Sequence, residues 1–571
     1  MIMIANKKKI LLGQLLLEKN IITREQLEMA LAKQKEMGEL LGKVLLELGF
    51  IDQENEVLPF VAQQYGVEYV NLKNQNIPEE AIERVPVKIA KRYNVIPVES
   101  YNGTVRLAMN KPYDVLLCDE LKILLQSNIY PVLAGQKDII DAIRKYYGVG
   151  AETIEKIMIQ TDLSDRKIEE VTDLEKIDSE ATIGNFLNQI FLEAYKDRAT
   201  DIHIEPFEKE LIIRYRIDGL LYDIHVSENI KYFKDSINSR IKIMSNLDIT
   251  ERRIPQDGRF HMRVGNVELD LRVSFLPTPY GESVVIRILN SSKLFGFDEL
   301  DLAPEEKNIL EGLIRKPHGI AFITGPTGSG KTTTLYSCLS LINTVEKKII
   351  TIEDPVEYQL RSITQIQINP GIHMTFARGL RSILRHDPNV IMVGEVRDVE
   401  TAEIAIQAAL TGHLIFSTLH TNDAASGVTR LLNMGIESYL ITSTVECFIA
   451  QRLVRVICPK CKTPRRLNPK MISDFKVNFE DDSEITIYEG RGCEHCNSTG
   501  YCGRTGIFEF LVLNDEISDL ILTRASASQI KEKAVQCGMK SLRQSGWEKV
   551  KMGITTPEEV MRVTQERSRR K

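Results

Sequence analysis

Residues 325–334 read Gly325-Pro326-Thr327-Gly328-Ser329-Gly330-Lys331-Thr332-Thr333-Thr334, or GPTGSGKTTT. This stretch fits G-x-x-x-x-G-K-[ST] at every fixed position. Glycines let backbone N–H groups close around phosphate oxygens. Lys331 brings a positive charge to the β- and γ-phosphates, and the Thr332 hydroxyl is a Mg²⁺ ligand. The flanks agree. The apolar run 320–323 predicts a strand before the loop, and TTTLYSCLSLI (332–342) predicts a helix after it, whose N-terminus faces the anion.

The same alternation spreads outward from this loop. IAFIT, KIITI, VIMVG and LIFST are buried-strand runs, separated by amphipathic helices such as FARGLRSILRH and TAEIAIQAAL. Apolar strands alternating with helices predict a parallel sheet covered on both faces. Ligands in such sheets sit beyond the carboxyl ends of the strands. Three segments end there. TIEDPVEY offers Glu353, Asp354 and Glu357, and the residues alone leave open which orients water and which supports metal. VIMVGEVRD carries Gly394 where a metal-supporting strand usually ends in Asp, so Glu395 is the acid at that tip. HLIFSTLHTNDA places His413 and His420 at the two ends of a strand.

The chain has 571 residues, which suggests roughly three to five domains. Hydrophobic residues are 43 % and charged residues 27 %, a folding composition. Net charge is −6, and the clearest basic cluster is the tail 567–571. With 6 % aromatic residues and no basic-aromatic strip, nucleic acid is not the expected partner. No stretch reaches the ~18 apolar residues of a membrane span. The N-terminus is interrupted by Lys7–Lys9 and reads as the start of an amphipathic helix, which predicts a cytoplasmic protein.

Residues 1–150 form one expected domain. Its first part is helical, with Thr23 and Gln26 as a capping box. A weak repeat returns Leu-Leu-Gly after 29 residues, from Gly13 to Gly42. Strands TVRLAMN and IYPVLAG and the helix KDIIDAIRKYYG follow. Residues 151–178 are a charged linker. Residues 179–292 are an α+β domain, with the helix IGNFLNQIFLEAYKDRA and the alternating strands DIHIEP, LIIRYRIDG, VELDLRVSF and SVVIRIL. Residues 293–571 carry the phosphate loop.

Nine cysteines in a cytoplasmic chain argue against a disulfide framework. Four of them form two C-x-x-C pairs, Cys458/Cys461 and Cys493/Cys496, separated by 31 residues. Two such knuckles supply four thiolates, a closed tetrahedral set suited to structural Zn²⁺. Redox chemistry is the alternative, although redox motifs come singly beside a βαβ unit. Cys502 and His495 lie nearby.

Together, GPTGSGKTTT, IEDPVE, LRSILRHDPNVIMVGEVRD and HLIFSTLHTNDA resemble the secretion ATPase superfamily. More narrowly, they resemble the assembly ATPases of type IV pili and type II secretion systems. DIHIEP, RYRIDG, RRIPQDGR, DLRVSFLPTPYGESVVIRIL and QRLVRVICPKC extend the likeness over about residues 183–565. The resemblance implies a RecA-like core (293–571) behind a PAS-like domain (179–292), in a homohexamer that hydrolyses ATP with Mg²⁺. It implies Glu357 as catalytic base, Glu395 as support for Mg²⁺ and water, and His420, with His413 second, at the γ-phosphate. It also implies Arg272 and Arg287 as arginines reaching the phosphates from the PAS-like domain. Arg381 and Arg385 fit either an inter-subunit contact or surface pairing. Assembly-type members often carry a tetracysteine insertion, here 458–496, which retraction-type members lack.

Residues 10–147 resemble the N-terminal regulatory domain of these ATPases, which in some relatives binds cyclic di-GMP through paired RLGxxLLxxGxI segments. Here Leu11 and Leu40 stand at the arginine positions, and Asn20 replaces a glycine. Two readings remain: a cyclic di-GMP site, and a docking domain for an inner-membrane protein. The expected function is a motor, peripheral at the inner membrane, that drives a platform protein to add pilin or pseudopilin subunits. A nucleic-acid-translocating ATPase and a slow nucleotide switch are the rivals.

Overall fold

The computed structural model describes residues 12–19, 21–37, 41–51, 56–148, 179–264, 267–289, 296–466 and 486–564. The expected linker 151–178, the tail 567–571, Asn20, Leu11, Leu40 and residues 467–485 of the tetracysteine insertion lie outside them. The chain divides into two compact units. One comprises Met1–Ile217, Leu221–Val267 and Leu271–Ile288; the other comprises Asp218–Leu220, Glu268–Asp270 and Leu289–Lys571.

The first unit opens with helices Leu12–Glu18, Arg24–Met37, Leu41–Glu47 and Leu58–Tyr65. The Thr23 capping box forms: Thr23 N donates to Gln26 Oε1 at 2.8 Å, and Gln26 N donates to Thr23 Oγ1 at 3.3 Å. The sequence repeat is also a structural one. Leu16 and Ile22 of the first copy are buried, and so are their counterparts 29 residues on, Leu45 and Ile51, in the same cluster. A four-stranded sheet follows, built from β1 (Glu68–Tyr69), β2 (Val95–Tyr101), β3 (Thr104–Met109) and β4 (Asn128–Leu133) in the order β1-β4-β3-β2.

Residues 179–289 carry a six-stranded sheet with the helices Ser179–Lys196 and Lys234–Met244. Its strands are β5 (Ala199–Pro206), β6 (Leu211–Ile217), β7 (Leu220–Ile224), β8 (Gln256–Val264), β9 (Val267–Thr278) and β10 (Gly281–Leu289), ordered β7-β6-β5-β10-β9-β8. β6 alternates strictly between more and less buried positions, as a sheet with one covered face requires, and β5 does so from Ile202 onward, past a register shift between Ala199 and Asp201.

The second unit is built on a seven-stranded sheet. Its strands are β11 (Gly319–Thr324), β12 (Ile349–Glu353), β13 (Thr364–Gln367), β14 (Val390–Val393), β15 (Leu414–Leu419), β16 (Val445–Ile457) and, beyond the hairpin β17 (Lys462–Arg466) and β18 (Thr486–Gly490), β19 (Tyr501–Val512). The order is β13-β12-β14-β15-β11-β16-β19; the first six run parallel and β19 pairs antiparallel to β16. Every residue of β11, β12, β14 and β15 is buried. Alternate side chains feed opposite cores: Ile320 and Phe322 enter one cluster, Ala321 and Ile323 the other. Residues 515–564 add four helices on the first of these faces, around buried Trp547.

Candidate nucleotide site and tetracysteine centre

The phosphate loop leaves the carboxyl end of β11 and enters the helix Lys331–Ile342. Gly330 has φ +87°, a conformation that side chains rarely adopt, and a Cβ there would come within 2.8 Å of Gln451 Nε2. A Cβ on Gly325 would come within 2.7 Å of the Gln451 carbonyl oxygen and 3.2 Å of Arg452 Nη1. The loop is therefore moulded against β16. Gln451 also accepts from Thr334 Oγ1 at 2.9 Å.

Lys331 Nζ donates to the carbonyls of Gly325 at 2.8 Å and Pro326 at 3.1 Å, inside its own loop. Burial lowers its ammonium to about 8 from the ordinary 10.5; the Glu395 carboxylate opposes this and the Arg452 cation adds to it. Ser329 Oγ is buried and accepts or donates no hydrogen bond. A cradle that a Cβ would fill, an orphaned hydroxyl and a desolvated cation fit a polyphosphate.

Glu395 lies just past β14 and is 8 % exposed. Its two oxygens face two different partners: Arg397 Nη2 lies 2.5 Å from Oε1, and His420 Nε2 lies 3.1 Å from Oε2. Gly394 explains why glycine stands where an aspartate was expected. A Cβ there would sit 3.2 Å from Ile352 O and 3.3 Å from Glu353 Cα, so the tip of β14 lies flush against β12. His420 follows β15 at the end nearest the phosphate loop, because Leu419 pairs with Thr324. His413 precedes Leu414, which pairs with Gly319, so it lies at the far end of the strand; its Nδ1 is 2.9 Å from Ala408 O. The sheet thus separates the two histidines.

The acidic loop after β12 sorts its three carboxylates. Glu353 is 3 % exposed and accepts from Tyr336 Oη, from Thr351 Oγ1 at 2.5 Å and from Gln365 Nε2 at 3.1 Å. Three donors converge on its two oxygens, so it anchors the loop. Glu357 lies four residues on, partly buried, with Oε2 shielded from solvent. Asp354 is exposed and is joined to Pro355 by a cis peptide bond.

Arg272 on β9 and Arg287 on β10 belong to the first unit, on neighbouring strands. Arg287 Nε donates to Asp201 Oδ1 at 2.9 Å. Arg381 pairs with Glu400 at 2.6 Å, and Arg385 Nη1 donates to Arg381 O at 2.9 Å; both make local contacts. Sequence reading missed Gln451, Arg397 and Arg452. Arg452, buried beside the loop, donates to Asn422 O at 2.8 Å and to Gln451 O at 3.1 Å.

The four cysteines converge. All four Sγ atoms lie within 4.8 Å of one another. Sγ–Sγ separations are 3.7 Å for Cys458–Cys493, 3.9 Å for Cys461–Cys496 and 3.7 Å for Cys493–Cys496. A tetrahedron with Zn–S of about 2.3 Å has edges of about 3.8 Å, so the set fits zinc. One knuckle follows β16 and the other precedes β19. Their backbones are hydrogen-bonded: Cys458 N donates to Gly500 O at 2.9 Å, and Arg491 N donates to Cys461 O at 3.1 Å. Burial raises the Cys496 thiol, but backbone N–H bonds from Cys493 and Gly500 outweigh it and bring it to about 7.

Comparison with known proteins places the whole chain. Residues 176–562 match the model of the Type II/IV secretion system protein family, and residues 65–153 match the MshEN domain. The Type IV pilus assembly ATPase PilB of Myxococcus xanthus is 42 % identical over 562 residues, covering 96 % of this chain and 98 % of that one. The Type II secretion system protein E of Xanthomonas campestris is 41 % identical over 567 residues, again covering 96 % and 98 %. The ATPase DotB of Legionella pneumophila shares the fold, with TM-score 0.50 and 24 % identity over 66 % of this chain and 95 % of that one. The chain belongs to the Type II/IV secretion system protein family and is an ATPase of the secretion ATPase fold.

Proposed function

We propose that this chain is a homohexameric motor at the cytoplasmic face of the inner membrane, where ATP hydrolysis drives a platform protein to extend a type IV pilus or a type II secretion pseudopilus. The observation that carries this is near-full-length identity of 42 % and 41 % to one relative of each kind. No helix among the described residues is long and apolar enough to cross a membrane, so membrane association is assigned to partner and docking proteins.

In this reading, residues 325–333 wrap the ATP phosphates, their backbone N–H groups, all but Pro326's, closing around the phosphate oxygens, and Lys331 leaves its own loop carbonyls for the β- and γ-phosphates. The Thr332 hydroxyl and the Glu395 carboxylate hold Mg²⁺, which when bound neutralises charge on the phosphate oxygens. Glu357 takes the proton of the attacking water. His420, hydrogen-bonded to Glu395, orients that carboxylate toward the γ-phosphate side. Arg272 and Arg287 supply positive charge to the equatorial oxygens. Cys458, Cys461, Cys493 and Cys496 hold a structural Zn²⁺ with no open position. Residues 179–292 move against residues 293–571 as the nucleotide turns over.

For the N-terminal region a cyclic di-GMP site stands as a second reading beside the docking role, and the apolar repeat that would scaffold it is buried. Calorimetry with cyclic di-GMP decides: absence of heat at high protein concentration leaves docking alone.

The test of the motor is steady-state ATPase activity of wild type, Glu357→Ala and Glu395→Ala, with mass from light scattering. Turnover by a hexamer, lost in both variants, is expected. Turnover that survives Glu357→Ala removes the assigned base.

A further inference from the structure

We propose that Tyr336 is a positioning residue for ATP hydrolysis, its phenol tying the phosphate-loop helix to the loop that carries Glu357. This rests on the reading of Glu357 as base.

Tyr336 lies five residues after Lys331 in the helix that the phosphate loop opens, and is 1 % exposed. A phenol has one donor and two acceptor lone pairs. All three are used here. The hydroxyl donates to Glu353 Oε2, at the tip of β12. It accepts from Glu357 N at 3.4 Å and from Gln365 Nε2 at 3.3 Å. One oxygen atom thus joins the phosphate-loop helix, the tip of β12, the acidic loop and β13.

The neighbours reinforce the arrangement. The Tyr336 ring meets Tyr358 edge-on, with centroids 4.7 Å apart and planes at 89°. Gln365 Nε2 also lies 3.1 Å from Glu353 Oε1 and 3.2 Å from Tyr358 O, sharing its two hydrogens among these acceptors and the phenol, while its Oε1 accepts from Leu360 N at 2.7 Å. Gln365 therefore closes the acidic loop at both ends. Burial, and then the charge of Glu353, hold Tyr336 as a neutral phenol well above its usual range. It does not titrate in the working range, so its role is geometric.

The consequence is directional. Lys331 and Tyr336 share one rigid helix, about one and a half turns apart. Any shift of that helix as Lys331 engages phosphate is passed through the Tyr336 hydroxyl to the backbone of Glu357. A base must be held at hydrogen-bond reach, about 2.6–3.2 Å, of the group whose proton it takes, so the phenol sets the rate of the chemical step and not the affinity for ATP.

The experiment is steady-state and single-turnover ATPase kinetics on the full chain. Tyr336→Phe keeps the ring and removes all three hydrogen bonds. We expect kcat to fall about tenfold or more, with KM for ATP within about twofold. In a Glu357→Gln background, Tyr336→Phe should add no further loss to the residual single-turnover rate, because a positioning residue has nothing left to position. Unchanged kcat in Tyr336→Phe, with Glu357→Gln inactive, overturns the proposal and leaves the base assignment standing. An equal loss in both backgrounds also overturns it, since that is general damage. An active Glu357→Gln overturns the base assignment itself. Gln365→Met, which removes the amide on the other side of the phenol, decides the matter if Tyr336→Phe does not fold: a smaller loss of kcat at constant KM is expected, and none overturns the proposal.

Discussion

His420 Nε2 lies 3.1 Å from Glu395 Oε2, while the other oxygen of Glu395 faces Arg397 at 2.5 Å. The carboxylate is thus held from both sides, and losing one partner does not free it. His420→Ala should lower kcat about tenfold and leave ATP binding within a few-fold, because Arg397 still orients the group. Glu395→Ala should remove turnover to below about a thousandth of wild type. Steady-state kinetics beside nucleotide titration separates the two.

Lys331 predicts a pH dependence. Its folded value is about 8, below the ordinary 10.5, so between these limits the unfolded chain binds the extra proton. Stability of the nucleotide-free protein should therefore rise with pH through that window. A triphosphate selects the ammonium, so ATP affinity should be flat below pH 8 and fall by up to about tenfold per pH unit above it. Fluorescent-nucleotide titrations from pH 6.5 to 9.5 check this, with Lys331→Met weak and flat throughout.

Arg287 is held by Asp201 across the ladder between β10 and β5, where the two residues are direct cross-strand partners. If Arg287 reaches the transferring phosphoryl group, Arg287→Ala should reduce kcat on the order of 10³-fold. Asp201→Asn, which keeps an acceptor but removes the charge, should give a smaller loss, about tenfold. Equal activity of Arg287→Ala and wild type ends the arginine-finger assignment.

The tetracysteine centre predicts about one equivalent of zinc per chain, measured by elemental analysis, and none in a variant with alanine at Cys458, Cys461, Cys493 and Cys496. Chelation should lower the melting temperature of wild type and leave the four-alanine variant unmoved.

Gln451→Ala removes the acceptor of a buried Thr334 hydroxyl and opens space beside Gly330. The cost should be about 1–3 kcal/mol of stability, with a rise in KM for ATP. Thermal unfolding and KM measured together test it.

Much of this was readable along the chain, because the responsible patterns are local. The apolar runs named β11, β12, β14 and β15, the phosphate loop is contiguous, and two C-x-x-C pairs announce each other. What escaped depends on register between distant strands. Gln451 and Arg452 reach the phosphate loop only because β16 pairs beside β11, Ala450 opposite Thr324. Tyr336 reads as one more apolar residue in a buried helix; nothing nearby says that its hydroxyl meets Glu353. Arg287 stands in the alternating strand SVVIRIL, but alternation could not name its partner Asp201, which lies 86 residues earlier. Nor could sequence choose among Glu353, Asp354 and Glu357, since what marks Glu353 as the anchor is three donors brought to it from a helix and two strands.

The strand order also bears on how the protein is made. β11 emerges from the ribosome before both of its neighbours, β15 and β16, and the residues that mould the phosphate loop, Gln451 and Arg452, come with the second of them. A nascent chain that has released the phosphate-loop sequence therefore carries the motif without the mould. The mould that fixes the loop therefore forms only once β16 has been synthesised and has paired beside β11.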